Sequence, residues 1–172
     1  MPPPSIERIN HYVLVDDKPV PEPDLLKWGA FMESVAGRTV RQDFFVYRSM
    51  NLFEIPAETY RATVQRRTSF REATAEEDVE NAEARRVREE LGGVPIMIST
   101  VFLGLDHNWA PIGPPILWET MAFGIDMQEF GTARYASLEE ARSGHAEIVS
   151  ALFEHAKRGL LRLGKAGENL LS

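Results

Sequence analysis

Apolar residues recur along the chain with two periods, one typical of strands and one typical of helices. Alternating or β-branched and aromatic runs predict strands over residues 9–15, 39–47, 96–105 and 116–123, with a short edge strand over 132–135. Apolar residues at helical spacing predict one helix over residues 24–36 and a long helix after Ser137. The segment 96–105 is apolar on both faces, which predicts a central position in its sheet.

The middle of the chain, residues 48–93, has fewer apolar positions. Its first part, 48–55, is expected to be a connection, and Pro56 fits the first position of a short helix that ends near residue 65. Residues 74–91 are strongly charged and carry a thin apolar stripe, which predicts a helix on the surface. Two interpretations stay open: a solvated covering helix, or an arm that contacts a partner or a second copy.

The order of these elements, β-α-β-(α-α)-β-β-(β)-α, predicts an α+β fold. We expect a mainly antiparallel sheet of about four or five strands with two amphipathic helices on one face. The charged helical segment over residues 48–93 is expected to be an insertion. The chain is expected to form a single domain over residues 1–172, with flexible ends at 1–5 and 164–172.

Composition restricts the function classes open to this chain. Its 172 residues include no cysteine, which excludes a disulfide framework, a thiolate zinc site and a cysteine nucleophile. The formal net charge of -7 is spread evenly, and the lack of a basic region argues against nucleic-acid binding. No apolar run reaches the roughly 20 residues that span a bilayer, and we expect no secretory signal. We therefore expect an acidic, soluble, cytoplasmic protein without membrane contact.

Sequence motifs of common catalytic sites are missing. The chain contains no GxGxxG, GxxxxGK[ST], HExxH or GxSxG pattern, which argues against dinucleotide, P-loop, zincin and α/β-hydrolase sites. No cofactor is predicted, and no residue is assigned as catalytic or as a metal ligand. Binding is favoured over catalysis.

Four residues have side chains suited to metal ligation or to proton transfer: Asp106, His107, Glu119 and His145. Together they hold the ligand types of a hard-metal or zinc site, and they could also form a general acid–base set in a metal-assisted hydrolase. Each has a structural interpretation as well. Asp106 and His107 can end a strand and bond the loop backbone. Glu119 can pair with an arginine, and His145 can be a core residue bonded to backbone carbonyls.

The loop over residues 107–115 is the best location for a binding site. It lies between two strong strands, is longer than a tight turn requires, and is flanked by Trp109 and Trp118. An exposed tryptophan here would mark a contact surface, whereas packing of both rings under the loop is the structural alternative. The predicted binding residues are Asp106, His107, Asn108, Trp109, Trp118, Glu119 and His145.

The segments on either side of this loop resemble a family of small proteins encoded by bacteriophages and prophages. The resemblance rests on STVFLGLDHNW at residues 99–109 and PPILWETM at residues 114–121. It extends to YVL and LLKW near the start of the chain and to RYA and EEARSGH near its end. The family has no assigned biochemical activity. The resemblance therefore implies a phage setting, with the host cytoplasm as location, but no reaction.

Two features depart from that family. Its members have a glycine-rich loop after the Asp-His pair, whereas this chain has the sequence APIG over residues 110–113. The segment 48–93 is also longer than in the family, which is why we interpret it as an insertion.

Three functions follow as hypotheses. The first is a phage or prophage accessory protein that binds a host protein or a small molecule through the loop. The second is a small metal-assisted hydrolase that uses the four residues named above, which would have to converge in one pocket. The third is a virion structural or assembly component, for which a homo-oligomer is expected.

Overall fold

The structure, a computed structural model, describes residues 10–64, 75–110, 112–124 and 132–161. These residues form an α+β fold, which confirms the predicted class. The strands are β1 (Tyr12–Val15), β2 (Lys18–Pro21), β3 (Thr39–Arg48), β4 (Asn51–Glu54), β5 (Val94–Phe102), β6 (Trp118–Phe123) and β7 (Ala133–Tyr135). The helices are α1 (Leu25–Glu33), α2 (Ala57–Ala62), α3 (Ala75–Leu91) and α4 (Leu138–Lys157). The predicted flexible ends lie outside the described residues.

Five antiparallel strands form the main sheet in the order β4-β3-β5-β6-β7. Strand β5 lies at its centre, as its two apolar faces predict. Strand β7 is the short edge strand expected near residue 132. Across the described ranges, no helix has the length and apolar character needed to cross a membrane.

The main core lies between one face of this sheet and two helices. Phe45 of β3, Ile98 of β5 and Leu152 of α4 belong to one buried cluster. In a second cluster Phe31 of α1 packs against the buried Phe102, with the two ring centroids 6.1 Å apart. Phe102 and Ile98 point to the same face because side chains alternate along a strand. Both amphipathic helices therefore cover one face, as predicted.

Helix α4 begins as its sequence indicates. The Ser137 hydroxyl accepts a hydrogen bond from the Glu140 backbone N–H at 3.2 Å, and the Glu140 carboxylate accepts one from the Ser137 N–H at 3.1 Å. This capping box satisfies two N–H groups at the helix start. It places the first turns of α4 beside strands β6 and β7.

The charged segment covers the other face of the sheet at one end. Phe44 of β3 points to this face, and its ring lies 5.1 Å from that of Tyr60 in α2. Helix α3 buries Ala84, whereas Val79 of the same helix is 71% exposed. Helix α3 thus makes a narrow contact, as predicted for a surface helix, but Val79 of the apolar stripe lies outside that contact.

Two hairpins were not predicted. Strand β1 pairs with β2 in a separate two-stranded sheet, through a turn in which Asp16 and Asp17 have φ of 50° and 61°. Residues 48–55, expected to be a connection, instead contain strand β4, which pairs with β3 across Ser49 and Met50. The φ angles of these two residues, 49° and 57°, are also left-handed. Neither turn contains the glycine that usually indicates such a hairpin in a sequence.

Several element boundaries also differ from the prediction. Helix α1 ends at Glu33 rather than residue 36, because Ser34 is extended and a 3-10 turn follows over Ala36–Arg38. Strand β5 ends at Phe102 rather than residue 105, and β6 begins at Trp118 rather than residue 116. These shorter strands lengthen the connection that contains the predicted binding loop.

Candidate functional site

The connection from β5 to β6 is held in place at Gly104, just after the end of β5. The Gly104 carbonyl accepts hydrogen bonds from the Trp28 indole Nε1 and from the Tyr12 backbone N–H, both at 2.8 Å. Gly104 has a φ of 70°, and an added Cβ would meet Met32 and Trp28 side-chain atoms. Only glycine fits this left-handed, closely packed position. Helix α1 and strand β1 therefore hold the start of the connection.

Asp106 closes the loop at its base. Its side chain is buried, and its Oδ1 accepts hydrogen bonds from the backbone N–H of Asn108 at 2.8 Å and of Ile116 at 2.9 Å. The His107 N–H also donates to the Ile116 carbonyl at 3.0 Å. One carboxylate oxygen thus ties the start of the loop to Ile116, ten residues after Asp106. This is the structural role that the sequence offered as one interpretation of Asp106.

Asn108 supplies a second set of ties. Its side-chain Nδ2 donates to the Pro114 carbonyl at 2.8 Å, and its Oδ1 accepts from the Ala110 N–H at 2.9 Å. The loop is therefore braced from inside by its own side chains. A loop held in this way loses little conformational entropy when it binds a partner.

The tip of the loop carries two apolar side chains that face solvent. Trp109 is 84% exposed and Ile112 is 85% exposed. The ring of His107, which is partly buried, lies edge-on to the Trp109 ring with centroids 6.4 Å apart. Trp118, predicted to flank the same surface, is buried in the core beside Phe102. The exposed surface at the loop thus contains one tryptophan, not two.

A cavity of about 540 Å³ opens beside the base of the loop. Asn108 and Ile116 form its loop side, while Arg134, Tyr135 and Glu147 line it from β7 and α4. Neither Trp109 nor Ile112 is among its lining residues, so the cavity is separate from the exposed tip.

The four residues proposed for a metal or acid–base site do not converge. Glu119 of β6 is buried and pairs with Arg134, whose Nε lies 2.7 Å from the Glu119 Oε2. This confirms the structural interpretation of Glu119. Its neighbour Thr120 points to the opposite face, where His145 is located. Within the described residues, no group of three or more His, Cys, Asp or Glu side chains is placed to hold a metal ion.

His145 is the centre of a buried hydrogen-bonded chain. Its Nδ1 lies 2.7 Å from the Thr100 hydroxyl, which lies 2.6 Å from the Thr120 hydroxyl. Its Nε2 lies 3.2 Å from Asp43 Oδ2, and Arg41 binds both oxygens of Asp43. His145 is a core residue, as its structural interpretation held, but the expectation that it bonds backbone carbonyls is wrong, because β3 and β5 bring side chains to its ring nitrogens instead. The sequence analysis did not identify Asp43 or Thr100. The available signal was that Asp43 shares one face of β3 with the apolar Phe45.

The charge state of Asp43 sets the direction of every bond in this chain. Burial opposes ionisation of Asp43, but hydrogen bonds from Arg41 and His145 outweigh it and hold the pKa of Asp43 below its usual value. An ionised carboxylate only accepts, so Nε2 of His145 donates to it. Burial lowers the pKa of His145, and the bond to Asp43 offsets this only in part. The imidazole is therefore neutral, its Nδ1 accepts from Thr100, and Thr100 accepts from Thr120.

A hydroxyl, an imidazole and a carboxylate in a row are also the groups of a nucleophilic triad. Here, however, Thr100 and His145 have 0% exposed surface. A nucleophile needs access to its substrate, so we interpret this chain of side chains as structural. It joins β3, β5, β6 and α4 through polar contacts inside an otherwise apolar layer.

Acidification is expected to destabilise the fold through this chain. In the unfolded state His145 takes up a proton near its ordinary pKa of about 6.5, whereas in the folded state its pKa is lower. The unfolded state then binds more protons, so stability falls by up to about 1.4 kcal/mol per pH unit as the pH drops below about 6.5. Urea unfolding at pH 7.5 and at pH 5.5 measures this. If the free energy of unfolding fell equally with pH in wild type and in His145→Gln, the pH dependence would not come from His145.

Comparisons with known proteins found no match for this chain among family models, curated proteins or solved structures. The functional conclusion therefore rests on the geometry of the site.

Proposed function

We propose that the protein acts by binding a partner protein through the loop over residues 107–115. The observation that carries this proposal is Trp109, which is 84% exposed at the tip of a loop whose base is closed by Asp106. Exposed tryptophan is costly to leave in water and is enriched among the residues that dominate binding energies at protein interfaces. The resemblance to phage-encoded proteins makes a host protein the partner we propose.

Two further features favour a protein over a small molecule. Trp109 and Ile112 project outward from the tip, whereas small-molecule sites are concave and enclose most of their ligand. The internal bonds of Asn108 to Ala110 and Pro114 brace the loop before binding. A braced tip with two exposed apolar side chains suits insertion into a pocket on a larger surface.

Metal-assisted hydrolysis by Asp106, His107, Glu119 and His145 is not proposed. Glu119 and His145 lie on opposite faces of the sheet, and Asp106 is engaged by the loop backbone. These three side chains already have structural partners.

Replacing Trp109 with serine is expected to weaken partner binding at least about tenfold, because an interface tryptophan contributes 1.4 kcal/mol or more. The immobilised protein would be used to capture a partner from host lysate, and the dissociation constant of the captured protein would then be measured for each variant. Leu26→Ser is the matched control, since Leu26 is 87% exposed on α1, outside the loop.

Equal affinity of wild type and a Trp109→Ser/Ile112→Ser double variant would overturn the proposal. Sedimentation velocity on the same proteins shows whether the bound partner is instead a second copy. Self-association that disappears in the double variant would point to an assembly role for the loop.

A further inference from the structure

A second, smaller cavity lies between the β1–β2 hairpin, the start of β3 and the start of α4. Its volume is about 250 Å³, and its lining includes Leu14, Asp17, Arg38, Thr39, Trp118 and Arg142. None of its lining residues borders the cavity beside the loop. Any function here is therefore separate from binding through Trp109.

Two residues that line this cavity each have a buried N–H donor without a partner in the described part of the chain. Trp118 is 2% exposed, and its indole Nε1 has no hydrogen-bond partner among the described residues. The same holds for Nε of Arg38. Buried polar groups are nearly always satisfied in folded proteins, so unsatisfied donors on two residues that line one cavity indicate a missing acceptor. Indole N–H and guanidinium N–H groups only donate, so the missing group must accept.

The charges around the cavity specify what kind of acceptor fits. Two guanidinium groups, of Arg38 and Arg142, face one carboxylate, that of Asp17. Arg142 takes part in no ion pair with another described residue, so none of these residues neutralises its charge. Among the described residues, the Arg38 side chain makes one long hydrogen bond, of 3.5 Å from its Nη1 to the Phe102 carbonyl. The lining therefore has an excess of positive charge in a confined space.

We propose that this cavity binds a small oxyanion, the carboxylate or phosphate group of a small molecule, between Arg38, Arg142 and the Trp118 indole N–H. Guanidinium groups match the geometry of both oxyanions and bind them through paired hydrogen bonds. The volume lies below the roughly 300 Å³ at which sites for drug-sized ligands begin. It suits a single anionic group or a very small acid rather than a whole nucleotide.

Titration with sodium phosphate and, separately, sodium acetate at constant ionic strength tests this proposal. The readout is the indole N–H resonance of Trp118 in ¹⁵N-labelled full-length protein, because that proton gains an acceptor on binding. We expect a saturable shift with one of the two anions, and the one that binds more tightly distinguishes a phosphate from a carboxylate site. Chloride at the same ionic strength is the blank.

The substitution Arg142→Gln is expected to weaken binding of that anion at least about tenfold, since it removes one charge-assisted donor. Arg142 is exposed, so this variant is expected to fold. Arg158→Gln, at the far end of α4, removes the same charge away from the cavity and should leave the affinity unchanged. The proposal would be overturned if the shift of the Trp118 resonance did not saturate with either anion. It would also be overturned if the anion bound Arg142→Gln as tightly as wild type.

Discussion

Replacing Thr100 with valine is expected to lower the free energy of unfolding by about 2–4 kcal/mol. The substitution keeps the size of the side chain but removes the hydroxyl that donates to His145 and accepts from Thr120. Both partners are fully buried, so each is left with an unsatisfied polar group that water cannot reach. Urea denaturation at pH 7.5, followed by tryptophan fluorescence, measures the change.

The matched control for this substitution is Thr132→Val on the exposed residue before β7. It makes the same chemical change on the surface and should alter stability by less than about 0.5 kcal/mol. A double variant, Thr100→Val with His145→Gln, should be less destabilised than the sum of the two single changes, because both break the same bond. Wild-type stability of Thr100→Val would show that the chain of bonds contributes nothing.

Replacing Asp106 with alanine is expected to open the binding loop and to lower stability by about 1–3 kcal/mol. Alanine removes the oxygen that accepts from the N–H groups of Asn108 and Ile116. These amides should then exchange with solvent faster, which hydrogen exchange measured by NMR detects residue by residue. Partner affinity should also fall, although Trp109 itself is unchanged, because the loop must be ordered during binding.

Asp106→Asn is the control that separates charge from geometry. An asparagine oxygen in the same position still accepts both backbone bonds, so slow exchange at Asn108 and Ile116 should be largely retained. If the Asn108 and Ile116 amides of Asp106→Ala exchange as slowly as those of wild type, the loop is held by other contacts and the role assigned to Asp106 is wrong.

The position of the candidate site followed from the sequence, but its composition did not. The length and proline content of residues 107–115 identified the loop, because such features are local. That Trp109 is exposed while Trp118 is buried depends on which face of β6 meets α4. Two tryptophans nine residues apart look equivalent in a sequence. Their solvent exposure differs once helices cover one side of the sheet.

The same limit explains the four proposed metal or acid–base residues. Glu119 and Thr120 are neighbours, yet one pairs with Arg134 and the other belongs to the His145 chain on the opposite face. A shift of one residue in the strand register would place each of these two side chains on the other face of the sheet. Periodicity alone leaves that register open.

Local sequence patterns were enough to predict the α+β class, the central position of β5, the capping box that begins α4 and the location of the long loop. These features depend on local periodicity and on hydrogen bonds between residues a few positions apart. Which side chains meet depends instead on how distant elements pack. Asp43 and His145 are separated by 102 positions, and they touch only because β3 pairs with β5 while α4 packs across both. Such contacts depend on the packing of distant segments, which no local pattern encodes.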